Sequence, residues 1–195
     1  MGETYSPTVN SESVNATLDL ASLQNARVYI IDVSGAFLHV PLGGVPLHMR
    51  LGKEVATRLT TLDPSFVPDL DPDGTIVVRI HKAIYGLGGS SRQWSDHVAA
   101  TLGSCGYHRL QYDRNVFIKK NQAGSTESLL CVHVDDILAA DFLGDARNDL
   151  TAALVAAYGK IKVHDGDTLT HLGVNIERRN GAFHLDQRHL ISLLD

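Results

Sequence analysis

The stretch Leu129–Leu130–Cys131–Val132–His133–Val134–Asp135–Asp136–Ile137–Leu138–Ala139–Ala140 sets two adjacent carboxylates in the middle of an apolar run. Strand-forming residues on both sides place Asp135 and Asp136 at the tip of a half-buried hairpin, where ionised carboxylates lose water and repel each other unless something compensates. A divalent cation is the natural compensator. Charged oxygen ligands suit magnesium or manganese, and a pair of such ions serves phosphoryl and nucleotidyl transfer. The competing reading is a surface hairpin turn, in which Asp is common.

Outward from the hairpin, the pattern alternates between helices and strands. Ser11–Asn25 carries Val14, Leu18, Ala21 and Leu23 near helical spacing, and Arg27–Asp32 reads as a buried strand that ends in an acid. Ser34–Val40 has room for a short helical turn. Val45–Leu51 reads as a strand, and Lys53–Leu62 as a helix stopped by Asp63–Pro64. Asp63–Gly74, with three prolines and four aspartates, is a solvent loop.

Thr75–His81 alternates as a strand, and Ser91–Leu102 is helical. Strands fit Val116–Lys119, Leu129–Val134 and Ile137–Ala140, and Leu143–Tyr158 is an amphipathic helix. Ile161–Val163, Thr168–Glu177 and Ala182–Leu185 read as further strands, and Gln187–Leu194 begins a helix. This irregular order favours an α+β fold over a doubly wound parallel sheet. Asp32, Asp135 and Asp136 would then meet on one sheet face.

Bulk composition narrows the function. A hydrophobic fraction of 44% and a charged fraction of 20% are ordinary for a folded domain. Cys105 and Cys131 are the only cysteines, which points to reduced thiols and an intracellular compartment rather than a secreted disulfide framework. No stretch approaches the roughly 20 apolar residues that span a bilayer, so no membrane partner is expected. The net charge is −5, from 17 Lys and Arg against 22 Asp and Glu, whereas nucleic-acid binders usually carry a basic surplus. If the chain handles nucleic acid, the basic part lies outside it.

The order of motifs resembles the palm of the reverse transcriptases of copia-type long-terminal-repeat retrotransposons. Asp32–Val33–Ser34–Gly35–Ala36–Phe37–Leu38 is similar to that family's Asp-Val-x-x-Ala-Phe-Leu block. Lys82–Ala83–Ile84–Tyr85–Gly86–Leu87 with Arg92–Gln93–Trp94 resembles its Tyr-Gly-Leu and Arg-Gln-Trp block. His133–Val134–Asp135–Asp136 resembles the Tyr-Val-Asp-Asp box, and Leu172–Gly173–Val174–Asn175–Ile176–Glu177 the Leu-Gly-Ile-x-Ile block. Glu3–Thr4–Tyr5–Ser6–Pro7 is similar to a segment just upstream of the first acid.

The resemblance implies a palm-like antiparallel sheet packed on helices, with partial fingers and a truncated thumb. It divides a single domain fragment into residues 1–26 leading from fingers to palm, 27–164 as palm with a fingers insertion, and 165–195 as the end of the palm and start of the thumb. It also implies two Mg2+ or Mn2+ ions on Asp32, Asp135 and Asp136, with the Val33 carbonyl as a further ligand. Phe37 would face the sugar of the incoming deoxynucleoside triphosphate, and Tyr85–Gly86 would lie under its base. Arg92, Gln93 and His133 would meet the RNA/DNA template-primer. Phe37 and Trp94 each keep a plain core reading. Other segments of one polyprotein would be partners, in the cytoplasm, within a virus-like particle, or in the nucleus.

Three departures from the family pattern stand out. Gly88–Gly89–Ser90–Ser91 replaces a common Lys-Gln-Ala-Pro, removing a cation and a rigid proline. His133 replaces a Tyr; as a strand residue two before Asp135 it would share that acid's face, with a transition-metal role as a minor alternative. The other histidines show no metal-ligand spacing. The basic fingers segment has no counterpart here and the thumb is cut short, so a degenerate, non-catalytic remnant is the second reading. An unrelated metal-dependent hydrolase would leave the Tyr-Gly-Leu and Leu-Gly-Val-Asn-Ile blocks unexplained.

Overall fold

The apolar run around the acids forms the centre of an antiparallel sheet in the computed structural model, which describes residues 8–144 and 146–188. Its strands are β1 (Arg27–Asp32), β4 (Tyr107–Arg109), β5 (Val116–Lys120), β6 (Thr126–His133), β7 (Asp136–Asp141) and β8 (Lys162–Asp165). Their order across the sheet is β4-β5-β6-β7-β1-β8. A two-stranded sheet pairs β2 (Leu47–Leu51) with β3 (Ile76–Ile80), and a three-stranded sheet is ordered β11 (Ala182–Asp186), β10 (Val174–Arg179), β9 (Thr168–His171). The helices are α1 (Ser11–Leu23), α2 (Lys53–Leu62), α3 (Ser90–Ser104) and α4 (Ala146–Tyr158). A mixed α and β fold with antiparallel sheets is what the sequence pattern implied.

Side-chain alternation along the central strands creates two cores. Tyr29, Ile31, Leu130, Val132, Ile137 and Ala139 pack with Trp94, Val98 and Leu102 of α3 and Leu150, Leu154 and Tyr158 of α4. Val28, Ile30, Leu129, Cys131, Leu138 and Ala140 pack on the other face with Leu18 and Ala21 of α1 and with Leu169 and Ile176 of the small sheet. The central strands read as unbroken apolar runs because both faces are covered. The start of α1 is pinned by a distant acid: the Asn10 N–H and Ser13 Oγ–H both donate to Asp113 Oδ2, at 2.9 and 2.7 Å. Asp113 thereby ties the first helix to the loop before β5.

Four readings change. Thr168–Glu177 is two strands, β9 and β10, because Leu172 and Gly173 turn the chain with φ of 50° and 75°. The three-residue β4 gave too short a pattern to be seen. The loop at 63–74 contains a short 3-10 turn, Pro64–Asp69, whose start Asp63 caps by accepting from the Ser65 N–H. His133 ends β6 opposite Asp136, so the turn at Val134–Asp135 interrupts the alternation that would have put His133 beside Asp135. Cys105 and Cys131 are both free thiols. Glu3–Pro7 and all but the first residues of the helix expected at 187–194 lie outside the described residues.

Candidate active site

Pairing register assembles the charged end of the sheet. Asp32 lies opposite Asp136 across β1 and β7, Asp136 opposite His133 across β7 and β6, and Asp32 opposite Lys162 across β1 and β8. Lys162, Asp32, Asp136 and His133 therefore form one row over four neighbouring strands. Two like charges directly opposite each other are destabilising unless something intervenes. The Lys162 ammonium partly does so, donating to Asp32 Oδ2 at 2.9 Å. This hydrogen bond and the carboxylate charge raise the Lys162 pKa.

Asp135 stands in the turn itself. Val134 has φ +54° and Asp135 does not share it, the φ pattern of a type II′ turn, whose first central position ordinarily holds Gly. A β-branched residue held there costs on the order of 1–3 kcal/mol and persists only where neighbours over-determine it. Two contacts do so here. The Val33 N–H donates to the Asp135 carbonyl at 2.8 Å, and the Trp94 indole Nε1–H donates to the Val134 carbonyl at 2.6 Å. Trp94 is thus a core residue, 2% exposed, that also holds the turn.

The Tyr-Gly segment is sewn beside this turn. Pro41 bridges Lys82, and the Ala83 N–H donates to the Val40 carbonyl at 2.9 Å. Tyr85, 61% exposed, reaches Asp135 Oδ2 with its hydroxyl at 3.4 Å and stacks edge-on against Phe37 with ring centroids 4.6 Å apart. Burial, then the Asp135 charge, raises the Tyr85 pKa. Phe37 is 6% exposed and belongs to the core between sheet and helices. Gly86 has φ +82° with open space where a Cβ would sit.

Arg92 and Gln93 are exposed on the first turn of α3, with Arg92 3.9 Å from Asp96 in an ion pair. The Gly-Gly-Ser-Ser departure has a local use. Gly89 precedes α3 at φ +88°, a conformation that suits glycine.

Asp136 sits within this crowding. Burial raises its carboxyl above the usual carboxylate range, and the charges of Asp135 and Asp32 push the same way. Hard anionic oxygens under mutual repulsion are the donor chemistry of Mg2+ or Mn2+ sites, so the residues fit such an ion. Among the described residues, however, no three His, Cys, Asp or Glu side chains converge on one point to hold a metal ion. Asp32 is engaged by Lys162 and Asp135 by Tyr85.

Two residues of this region had no signal in the sequence. Lys162 is one of several lysines, and only the antiparallel pairing of β8 with β1 brings it to Asp32. His171, opening the β9–β10 turn, is 3% exposed with no hydrogen-bond partner on either ring nitrogen among the described residues. Burial, then the charge of His133, pushes its pKa down to about 4.

Known proteins agree with the motif order. The relatives include the retrovirus-related Pol polyprotein from transposon RE2 of Arabidopsis thaliana, 29% identical over 187 residues that cover 95% of this chain and 12% of the relative. That from transposon RE1 of the same plant is 27% identical over 190 residues, covering 97% and 12%. The chain thus spans about an eighth of the length of these relatives. No solved structure matches. The model of the family described as reverse transcriptase (RNA-dependent DNA polymerase) matches residues 1–194, and the chain belongs to that family, of the copia-type retrotransposon kind that its motifs resemble.

Proposed function

We propose that the chain is the polymerising part of a retrotransposon Pol polyprotein and extends a DNA primer by two-metal nucleotidyl transfer. The observation that carries this reading is the register that sets Asp32 opposite Asp136, with Asp135 in the adjoining turn. Family membership supports it, since reverse transcriptases work with divalent metal ions on template, primer and nucleotides. Asp32 and Asp135 would hold the ions, with Asp136 beside them and the Val33 carbonyl as a further ligand. Bound there, the ions would lower the pKa of the primer 3′-hydroxyl and neutralise charge on the leaving pyrophosphate.

The chain's own residues supply position. Tyr85 offers an exposed ring to the incoming nucleotide, Gly86 allows its base close to the backbone, and Phe37 backs the sugar side. Arg92, Gln93 and His133 line the approach of template and primer. Residues 27–164 are the palm with its fingers insertion, approached through the segment up to residue 26 and followed by the start of a thumb at 165–195. Among the described residues no helix is long and apolar enough to cross a membrane. The remaining Pol segments are the partners expected to bring the basic surface that a net charge of −5 lacks.

The test is primer extension on an RNA template with deoxynucleoside triphosphates and Mg2+ or Mn2+, using the chain together with its flanking Pol segments. Extension that requires the metal and is lost in Asp135→Asn is expected. Absence of metal-dependent extension, or full extension by Asp135→Asn, would overturn the reading and favour the degenerate remnant, to which the Gly88–Ser91 loop also points.

A further inference from the structure

We infer that Trp94 is a positioning residue for this site: its indole N–H holds the carboxylate turn in the left-handed conformation that aims Asp135. The inference rests on the polymerase reading of the acids, and its geometry stands apart from that reading. Val134 is a β-branched residue at φ +54°, which relaxes to negative φ unless it is restrained. Relaxation would rotate the peptide between Val134 and Asp135, the unit that carries the carbonyl bonded to Trp94. The 2.6 Å indole bond is the restraint on that carbonyl, while the Val33 N–H, 2.8 Å from the Asp135 carbonyl, restrains only the next one.

The indole is itself held. Its ring lies 5.1 Å from the Tyr158 ring of α4 and 6.4 Å from that of His97 one turn along α3. The Tyr158 hydroxyl is in turn hydrogen-bonded to Thr101 Oγ1 at 2.9 Å. At 2% exposure the Trp94 side chain has no room to swing away from the turn. The helical layer behind the sheet therefore sets the conformation of a loop on the sheet's end. Phenylalanine would fill much of the same space, but it has no donor to offer. Core packing and turn holding are thus separable by substitution.

Three variants of the chain test this: Trp94→Phe, Val134→Gly, and the two together. In primer extension, Trp94→Phe is expected to lower kcat by about tenfold to 10²-fold, the scale of small misplacements of reacting groups, with KM for the nucleotide held within about twofold. Glycine accepts positive φ without strain. Adding Val134→Gly should therefore recover most of the loss, whereas a purely packing role for Trp94 would show no recovery.

A second readout needs no activity. Trp94 is the only tryptophan, so its indole N–H gives one nuclear magnetic resonance signal, expected to be protected from hydrogen exchange. The Val33 amide reports the turn through its bond to Asp135; its exchange should speed up about tenfold or more in Trp94→Phe and slow again in the double variant. An indole that exchanges like an exposed one, or a Val33 amide indifferent to Trp94→Phe, overturns the inference. If the wild-type chain together with its flanking Pol segments extends no primer, the polymerase reading falls while these exchange rates still decide whether Trp94 holds the turn.

Discussion

The hairpin β6–β7 and its counterpart β10–β11 make the same two-residue connection by opposite means. At β10–β11 the turn is Asn180–Gly181, both at positive φ, the residue pair that such turns favour most. At β9–β10 it is Leu172–Gly173, again with Gly at the second place and both at positive φ. The acid hairpin has no glycine. It puts Val134 in the left-handed region and holds it with Trp94 and Val33 from two neighbouring elements. The contrast with Asn180–Gly181 teaches that a turn made for connection can be satisfied by its own residues, while the turn that carries the acids is held by the core around it.

The largest effect should come from removing that support altogether. Trp94→Ala takes a buried aromatic from the helix-facing core as well as the tie to the turn, and is expected to destabilise by about 3–5 kcal/mol in denaturant unfolding. A loss under about 1 kcal/mol would mean that the acid hairpin needs no support from Trp94. The converse experiment gives the plain hairpin the acid hairpin's strain. Gly181→Val forces a β-branched residue to φ +83° where a Cβ meets nothing within 4 Å, so strain acts without a clash. About 1–3 kcal/mol is the expected cost; no change would show that positive φ at Val134 needs no external tie.

A third difference lies in the histidines that open two of these turns. His133 is half-buried beside Asp136, whereas His171 is buried with no hydrogen-bond partner among the described residues, and its pKa is pushed down to about 4. Because the unfolded chain protonates its histidine near 6.5 and the folded chain does not, stability should fall as pH drops from about 6.5 to about 4. The steepest contribution of one such group is about 1.4 kcal/mol per pH unit. In His171→Leu the midpoint of urea unfolding should lose this part of its pH dependence. An unchanged slope would mean that the imidazole is protonated in place.

The smallest effect concerns the acids themselves. Asp136, with its pKa raised by burial and by Asp135 and Asp32, takes up a proton more readily in the folded than in the unfolded chain. Its contribution to stability is therefore greatest below the unfolded value, near 3.9, and declines as pH rises through the folded one. At neutral pH and without divalent ions, Asp136→Asn should stabilise by roughly 0.2–1 kcal/mol, about 0.4–4 °C in Tm for a chain of this size. The gain should vanish on acidification. A loss of Tm at pH 7 would instead make Asp136 a stabilising hydrogen-bond acceptor.

What the amino-acid order disclosed follows the same contrast. β1 and the acid hairpin were legible because both their faces are buried, so Arg27–Asp32 and Leu129–Ala140 read as apolar runs ended or interrupted by acids. Asp32, Asp135 and Asp136 followed from their positions at strand ends. The break at Leu172–Gly173 was hidden because Thr168–Glu177 keeps a strand-like composition across it. Trp94 showed its bulk but not its second use, since which carbonyl an indole N–H meets depends on where α3 crosses the sheet. Lys162 and Asp113 act through partners 130 and 103 residues away. No local pattern encodes such pairings.

The central claim is that the strained turn and the crowded carboxylates Asp32, Asp135 and Asp136 are kept for a divalent cation. Its most direct measurement is the melting temperature of the wild-type chain and of Asp32→Asn and Asp135→Asn, each with and without MnCl2. Saturable stabilisation of the wild type is expected, about 2.7 kcal/mol at a concentration 100 times the dissociation constant, and reduced or lost in both variants. No stabilisation by manganese, or the same stabilisation in all three proteins, would contradict it.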